Sequence, residues 1–240
     1  MSASESSTSC LFSSTGIGHE GYFGNAEFRC TGRAKLVAGP LNDLEGTDLV
    51  CNCRVTYDPL EYPFHAMSCS LTKGFRTKRH NDIRDLQFKL LRKRFPALPN
   101  KSLKLEPLVG QYEGGERDVR ADILWIDQAD RVIIDIACVD PGCTQYLEAP
   151  VESWKSEDKA AQRMESVKRK HYCKVVLPAP FPANSVYSFV LEASGRLGPC
   201  ALSLLNRICG TQTFLWSKVL NEVSLVTARY MGIMLKATRD

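Results

Sequence analysis

The sequence predicts an α/β protein, with a mixed β-sheet flanked by helices and a small segment with clustered cysteines before it. Helical and strand-like patterns follow one another as helix, three strands, helix and strand, an order typical of helices packed on a sheet. With 240 residues, 44% hydrophobic and 24% charged, the chain can bury a sizeable core. The longest apolar stretches are interrupted, for example by Lys218, Glu222 and Arg229, so we expect no membrane partner.

Residues 1–45 are predicted to be flexible or weakly ordered, because the start of the chain is rich in Ser, Thr and Gly. The first residues also lack the basic start and apolar core of a signal peptide. We therefore expect a nuclear or cytoplasmic protein rather than a secreted one. Its ten cysteines would then be reduced, and clustered ones would be metal ligands or core residues.

The first strong helical pattern predicts a helix from Asn81 to about Phe95. Asn81 is the expected N-cap, with acidic residues in the first turn, basic residues in the last turn and Pro96 as the stop signal. One apolar stripe follows the helical period through Ile83, Leu86, Leu90 and Leu91.

Three strands are expected next, at Leu103–Val109, Val119–Ile126 and Arg131–Val139. Residues 127–130 would form a tight turn that pairs the last two strands, although Gln-Ala is not a favoured hairpin pair. Stepping outward from that turn places Asp122 opposite Asp135 on one face of the sheet. A slip of one residue would separate the two carboxylates, so their juxtaposition depends on the turn.

The second half of the chain predicts further helices and strands. A helix is expected from about Glu152 to His171, and strands at Cys173–Leu177 and Val186–Leu191, separated by a loop marked by three prolines. A final helical region opens near Ser194 and is divided by Gly210. We predict four segments: the N-terminal stretch, a zinc knuckle at 46–80, a core at 81–196 and C-terminal helices at 197–240.

Asp122 and Asp135 each interrupt a strand-forming run, where a carboxylate is costly unless it is paired or binds a metal. Pairing with Arg120 or Arg131 is the structural explanation. The functional one is a magnesium site, because hard cations bind one or two carboxylates together with waters and phosphate. Glu106 is a third strand-borne acid, and residues 168–172 (Lys-Arg-Lys-His-Tyr) supply basic groups that could stabilise a reacting phosphate.

Four potential soft or borderline metal ligands lie close together in the sequence, at Cys51, Cys53, His65 and Cys69. Three thiols and an imidazole suit a tetrahedral structural zinc ion. The Cys-x-Cys opening is less typical than Cys-x-x-Cys, and buried small hydrophobes are the alternative explanation for these cysteines. His80 is an alternative ligand.

Basic residues are concentrated between Lys73 and Lys104, although the net charge of the chain is only +4. A phosphate backbone would require such a stripe, whereas a solvated helix face is the alternative explanation. The residues that we expect to contact DNA are Arg76, Lys78, Arg79, His80, Asn81 and Arg84.

Several segments together resemble the PD-(D/E)XK restriction-like endonuclease region found downstream of the reverse transcriptase in a class of non-LTR retrotransposons. The resemblance covers about residues 27–210, and the segments that carry it occur in the family's order: His65-Ala-Met-Ser-Cys69, Arg79-His-Asn-Asp-Ile-Arg-Asp-Leu86, Leu105-Glu-Pro-Leu108, Ala121-Asp-Ile123, Asp135-Ile-Ala-Cys-Val139, Lys168 to Tyr172 and Phe189 to Pro199. It implies a restriction-like fold and a zinc knuckle directly before residues 79–81.

The same resemblance implies that Asp122 and Asp135 hold magnesium and that Glu106 assists. In this class the catalytic lysine is not found two residues after the second acid, and position 137 is indeed alanine. The resemblance implies that the next helix supplies this lysine as Lys168, on one helix face with Tyr172; Lys170 is the rival. Ala121 stands where the family usually has proline.

The function implied is a magnesium-dependent DNA endonuclease that nicks a retrotransposon target, with DNA, element RNA or a reverse transcriptase as partners. The chain would be a detached part of such a polyprotein. The alternatives are a catalytically decayed nucleic-acid-binding protein that retains the nuclease fold and zinc knuckle, and a zinc-stabilised interaction module without a nucleic-acid role.

Overall fold

The computed structural model describes residues 49–57, 65–112, 118–127, 130–140, 159–177, 185–193 and 195–238. The predicted N-terminal segment, the first part of the helix expected from Glu152, and the proline-marked loop lie outside the described residues. No helix of these ranges is long and apolar enough to cross a membrane.

The described residues form nine strands and five α-helices. The strands are β1 (Leu49–Val50), β2 (Thr56–Tyr57), β3 (Leu103–Leu105), β4 (Leu108–Tyr112), β5 (Asp118–Arg120), β6 (Ile123–Asp127), β7 (Asp130–Val139), β8 (Val175–Leu177) and β9 (Val186–Glu192). The helices are α1 (His65–Ser68), α2 (Lys73–Arg94), α3 (Lys159–Cys173), α4 (Pro199–Cys209) and α5 (Thr213–Ala237).

A four-stranded mixed sheet lies at the centre of the fold, in the order β3-β6-β7-β9. Strand β6 pairs antiparallel with both β3 and β7, and β9 pairs parallel to β7 after the chain has passed through α3. Asp127 pairs with Asp130, as predicted from the tight turn. The mixed α/β class is therefore confirmed.

Two of the expected strands are each divided between two sheets, so the single strands predicted at Leu103–Val109 and Val119–Ile126 are wrong. Strands β5, β4 and β8 form a separate three-stranded sheet. The β3–β6 and β4–β5 pairs meet at a bend, where the Glu106 N–H donates to the Asp122 carbonyl at 2.9 Å and the Ala121 N–H donates to the Pro107 carbonyl at 3.1 Å. Glu106 has a φ of 47°, outside the extended region, which turns the chain out of the first sheet.

Helix α2 begins at Lys73, eight positions before the predicted N-cap Asn81, and the predicted start is therefore wrong. The hydroxyl of Thr72, just before the helix, is fully buried and donates to the carbonyls of Ala66 at 2.7 Å and Cys69 at 2.9 Å. These contacts with the preceding turn fix the start of α2. The helix ends before Pro96, as expected.

The later elements follow the prediction with small shifts. Cys173 belongs to α3 rather than to the next strand, and β8 begins at Val175. Helix α4 begins at Pro199, whose missing N–H is tolerated in the first helical turn. Gly210, with a φ of 57°, lies between α4 and α5, and so the predicted division is confirmed.

The central sheet is covered on both faces. On one face, Ile134 and Ile136 of β7 belong to an apolar cluster with residues of α2, α4 and α5, such as Leu91 and Leu204. On the other face, Ala137 and its neighbours pack against α3, while Ile133 joins the smaller sheet and the end of α3. Asp135 alternates with Ile134 and Ile136 along β7, and it therefore lies on the face covered by α3.

Candidate functional sites

Asp122 and Asp135 lie next to each other at the bend between the β3–β6 and β4–β5 strand pairs. Ile123 pairs with Ile134 in the β6–β7 register, so Asp122, directly before β6, lies opposite Asp135 as predicted. The Asp122 Oδ2 atom accepts a hydrogen bond from the Ile136 N–H at 2.6 Å. Only 5% of Asp135 is exposed. Two carboxylates are thus held together at the start of one strand and in the middle of its partner.

Helix α3 places a lysine and a tyrosine on the buried carboxylate. Lys168 Nζ lies 2.8 Å from Asp135 Oδ2, and the Tyr172 hydroxyl donates to Asp135 Oδ1 at 3.2 Å. The two residues are one helical turn apart and share a face, as their spacing predicts. Lys170, the rival, is exposed on the outer side of α3. The positive partner of Asp135 is therefore Lys168.

The two carboxyls have pKa values displaced in opposite directions. Burial raises the pKa of Asp135 to about 6; the Lys168 charge opposes this shift and the Asp122 charge adds to it. Burial also acts against ionisation of Asp122, but hydrogen bonds from His80 and the Ile136 N–H, together with the His80 charge, lower its pKa. Such divergence between neighbouring acids is typical of functional sites, although ion-pair networks also produce it.

His80 reaches the carboxylate pair from the opposite side, where its Nε2 lies 3.1 Å from Asp122 Oδ1. Its ring is 30% exposed. The sequence predicted DNA contact for this residue, with metal binding as the alternative. No periodicity in the sequence indicates its contact with Asp122, because the two lie 42 positions apart on different elements.

Glu106 contacts Asp122 through its backbone rather than its carboxylate. The Glu106 carboxylate is 60% exposed and pairs with the guanidinium of Arg84. The Arg120 guanidinium donates to the Glu106 carbonyl at 3.1 Å, so one arginine holds the backbone of the bend and the other holds the Glu106 side chain. Within the described ranges, the three acids do not form a shared metal-ligating group. Glu106 is therefore a structural part of the bend in this arrangement.

The predicted zinc ligands form one cluster. The Cys51, Cys53 and Cys69 sulfurs and a ring nitrogen of His65 all lie within 4.8 Å of one another. The Cys51 and Cys69 sulfurs are 3.7 Å apart, and the Cys53 sulfur is 3.4 Å from His65 Nε2. Around a tetrahedral zinc ion, bond lengths of about 2.3 Å to sulfur and about 2.0 Å to nitrogen give a sulfur–sulfur separation of about 3.8 Å and a sulfur–nitrogen separation of about 3.5 Å. The cluster could hold a metal ion, and its geometry is compatible with zinc.

The surroundings of this cluster explain how a short polar stretch forms it. His65, Cys51 and Cys69 are at most 5% exposed, and the Tyr57 ring stacks on His65 with a centroid separation of 4.4 Å. Burial lowers the pKa of His65, which favours the neutral imidazole that a metal requires. Burial raises the pKa of Cys51 to about 12, so without a cation this thiol stays protonated.

The residues expected to contact DNA are divided between surface and interior. Lys78 is exposed, and Arg76 donates to the Ser68 carbonyl at 3.2 Å while remaining partly exposed. Arg79 and Arg84 are only 2% and 8% exposed, so their guanidinium groups lie inside the fold. Asn81 is partly exposed. Among the residues predicted to contact DNA, Lys78 and Arg76 are therefore the more accessible cations.

A further contact beside Lys168 was not anticipated. The Tyr112 hydroxyl lies 2.8 Å from His171 Nε2, and the His171 ring meets Tyr172 edge-on at 5.0 Å. Burial and, to a smaller extent, the Lys168 charge lower the pKa of His171. Burial raises the pKa of Tyr112 against the opposing effect of the Lys168 charge. This pair lies next to the carboxylate site. A histidine on a basic helix is more often a surface residue, so the sequence carries no signal for this contact.

A comparison of the chain with known protein families found no match, and a search of curated proteins found none either.

Proposed function

We propose that this chain is a metal-dependent DNA endonuclease of the restriction-like type. The observation that carries the proposal is the contact of Lys168 with Asp135, beside Asp122, on the strand pair where two acids were expected to share a face. A buried acid pair with an adjacent lysine is a donor set suited to phosphodiester hydrolysis. The restriction-like fold and the nicking of a retrotransposon target belong to the same proposal.

The donor set fits a hard cation. Asp122 and Asp135 would hold magnesium, which prefers one or two carboxylates and keeps several waters. Magnesium would supply a Lewis acid that neutralises charge on the phosphate. Lys168 would stabilise negative charge that develops on the phosphate oxygens, and its contact with Asp135 keeps it beside the reacting group. Tyr172 would orient Asp135 through its hydroxyl hydrogen bond.

We further propose that the ion in the cluster of Cys51, Cys53, His65 and Cys69 is zinc with a structural role. Thiolates and imidazole select zinc over magnesium or calcium. The cluster directly precedes α2, whose exposed Lys78 and partly exposed Arg76 would contact the DNA backbone. DNA is therefore the proposed partner, with element RNA or a reverse transcriptase as further partners.

Cleavage of supercoiled plasmid with magnesium tests the activity. We expect nicking by the wild-type protein and its loss in Asp122→Asn and Asp135→Asn, which keep the side-chain shape but remove the charge. Asp118→Asn, an exposed residue of β5, is the matched control and should nick as the wild type does. Nicking that persists unchanged in both site variants would refute the proposal.

A second candidate function is nucleic-acid binding without catalysis. It is favoured by one observation: three of the four carboxylate oxygens of Asp122 and Asp135 have a hydrogen-bonding partner, namely His80, the Ile136 N–H and the Tyr172 hydroxyl, and the fourth, Asp135 Oδ2, forms an ion pair with Lys168. A cation would have to share or displace these donors. Salt-sensitive DNA binding without magnesium-dependent nicking would identify this function, since phosphate contacts release counterions.

A further inference from the structure

The Asp122 carboxylate is fixed by two donors that come from different elements. His80 Nε2 lies 3.1 Å from Oδ1, and the Ile136 N–H donates to Oδ2 at 2.6 Å. Each carboxylate oxygen has a second lone pair, so both can still accept a cation. A side chain that hydrogen-bonds a metal-binding carboxylate from outside sets its orientation, and loss of such a partner commonly weakens metal binding.

The position of His80 depends in turn on the start of α2. Thr72 is fully buried and binds the carbonyl of the ligand Cys69, while Arg76 binds the Ser68 carbonyl at 3.2 Å. His80 follows Thr72 by two turns of the same helix, a rise of about 12 Å. The segment that carries the Cys and His ligands is therefore bonded directly to the helix that presents His80.

We infer that His80 is a positioning residue for Asp122, and that the Cys51, Cys53, His65 and Cys69 cluster sets its place through α2. The ring donates from Nε2 to Oδ1 and holds the carboxylate turned toward Asp135. This inference rests on the proposed cation site at Asp122 and Asp135. It adds that a cation at the thiol cluster strengthens cation binding at the carboxylates without touching them.

The first test measures Mn²⁺ binding by calorimetry on the zinc-loaded protein, with Asp135→Asn as the variant that removes the site. His80→Ala should weaken Mn²⁺ binding by about 10-fold to 100-fold. His80→Gln, whose amide can donate to Oδ1, should recover most of the affinity. Lys89→Ala, exposed on the same helix, should bind as the wild type.

Two outcomes would overturn the positioning role. One is equal Mn²⁺ affinity in His80→Ala and wild type, and the other is equal loss in His80→Ala and His80→Gln. Thermal unfolding of each variant shows whether the fold is intact, since a general destabilisation would weaken binding in both substitutions.

The second test asks whether the cluster acts through His80. Cys53→Ala, at the least buried of the cysteine ligands, should lower Mn²⁺ affinity in the wild-type background but cause little further loss in His80→Ala. If Cys53→Ala lowers Mn²⁺ affinity as much in the His80→Ala background as in the wild-type background, the connection through α2 is refuted. If Cys53→Ala does not fold, removal of zinc by a zinc-selective chelator replaces it in the same comparison.

Failure of this inference is distinguishable from failure of the endonuclease proposal. A protein that nicks DNA through Asp122 and Asp135 but has unchanged Mn²⁺ affinity in His80→Ala would refute the inference alone. A protein that binds Mn²⁺ with the predicted His80 dependence but does not nick would refute the endonuclease alone. Absence of Mn²⁺ binding at the carboxylates would refute both.

Discussion

Lys168 Nζ lies 2.8 Å from Asp135 Oδ2, so a lysine on α3 occupies the place beside the carboxylate. Its position on a helix is compatible with the alanine at 137, because α3 packs on the same face of β7. The arrangement gives one buried carboxylate a cationic partner that stays 30% exposed and can also meet a phosphate.

Replacement of Lys168 should separate catalysis from binding. In Lys168→Ala we expect nicking to fall on the order of 100-fold, because one charge that stabilises the transition state is removed. DNA affinity, measured by titration at fixed salt, should change far less. Lys170→Ala is the matched control, since Lys170 is exposed two positions further on. Equal losses in the two variants would contradict the assignment of Lys168.

The raised pKa of Asp135 predicts a pH dependence of stability in magnesium-free buffer. Its carboxyl holds a proton more tightly in the folded protein than in the unfolded one, where the value is near 3.8. The resulting stabilisation is fully present below that value and is lost as the pH rises through about 6.

The amide of Asp135→Asn stays neutral at every pH, so the variant does not lose this stabilisation as the pH rises. From acid to neutral pH, the free energy of unfolding of the variant should therefore rise relative to wild type, by at most about 3 kcal/mol. Urea unfolding across this range measures it. Asp118→Asn, at an exposed position, should follow the wild-type profile. A variant whose difference from wild type is constant with pH would show that Asp135 is ionised normally in the fold.

The register of the two acids could be predicted from the sequence, whereas the bend could not. A tight turn at residues 127–130 and the two-residue period of strands are sufficient to place Asp122 opposite Asp135. The division of two strands at Glu106 depends on how the smaller sheet packs. Pro107 was the local signal for it, because proline restricts the residue before it and supplies no N–H.

The contacts made by α2 could not be predicted from the sequence either. Asn81 and two nearby aspartates resemble a helix start, but Thr72 and the buried Arg79 extend the helix by two turns through tertiary contacts. The sequence predicted Arg79 and Arg84 at the surface, because arginines are mostly exposed. Lys168 and Tyr172, in contrast, were predictable as a pair because a separation of four residues fixes one helix face.

The cysteine cluster should bind one metal ion that stabilises the fold. If zinc is present at about 1,000 times its dissociation constant, the stabilisation is about 4 kcal/mol. Metal analysis should give one zinc per chain, and His65→Ala should lose the ion and unfold at a lower temperature. Cys173→Ser, an exposed cysteine outside the cluster, should retain both the metal and the stability. Full metal content in His65→Ala would show that the ion is held elsewhere.

Tyr172→Phe tests whether the buried hydroxyl orients Asp135. The Tyr172 hydroxyl lies 3.2 Å from both Asp135 Oδ1 and the Arg120 carbonyl, and burial raises the pKa of Tyr172, so it remains a donor at neutral pH. Its removal should cost about 1 kcal/mol of unfolding free energy, measured in urea.

Magnesium-dependent nicking by Tyr172→Phe should fall through kcat, with little change in KM, because the hydroxyl acts on the carboxylate rather than on DNA. Tyr112→Phe is the matched control, because it removes a hydroxyl that contacts His171 instead of Asp135. A change confined to KM in Tyr172→Phe would place the hydroxyl in DNA binding, and an unchanged rate would remove it from the site.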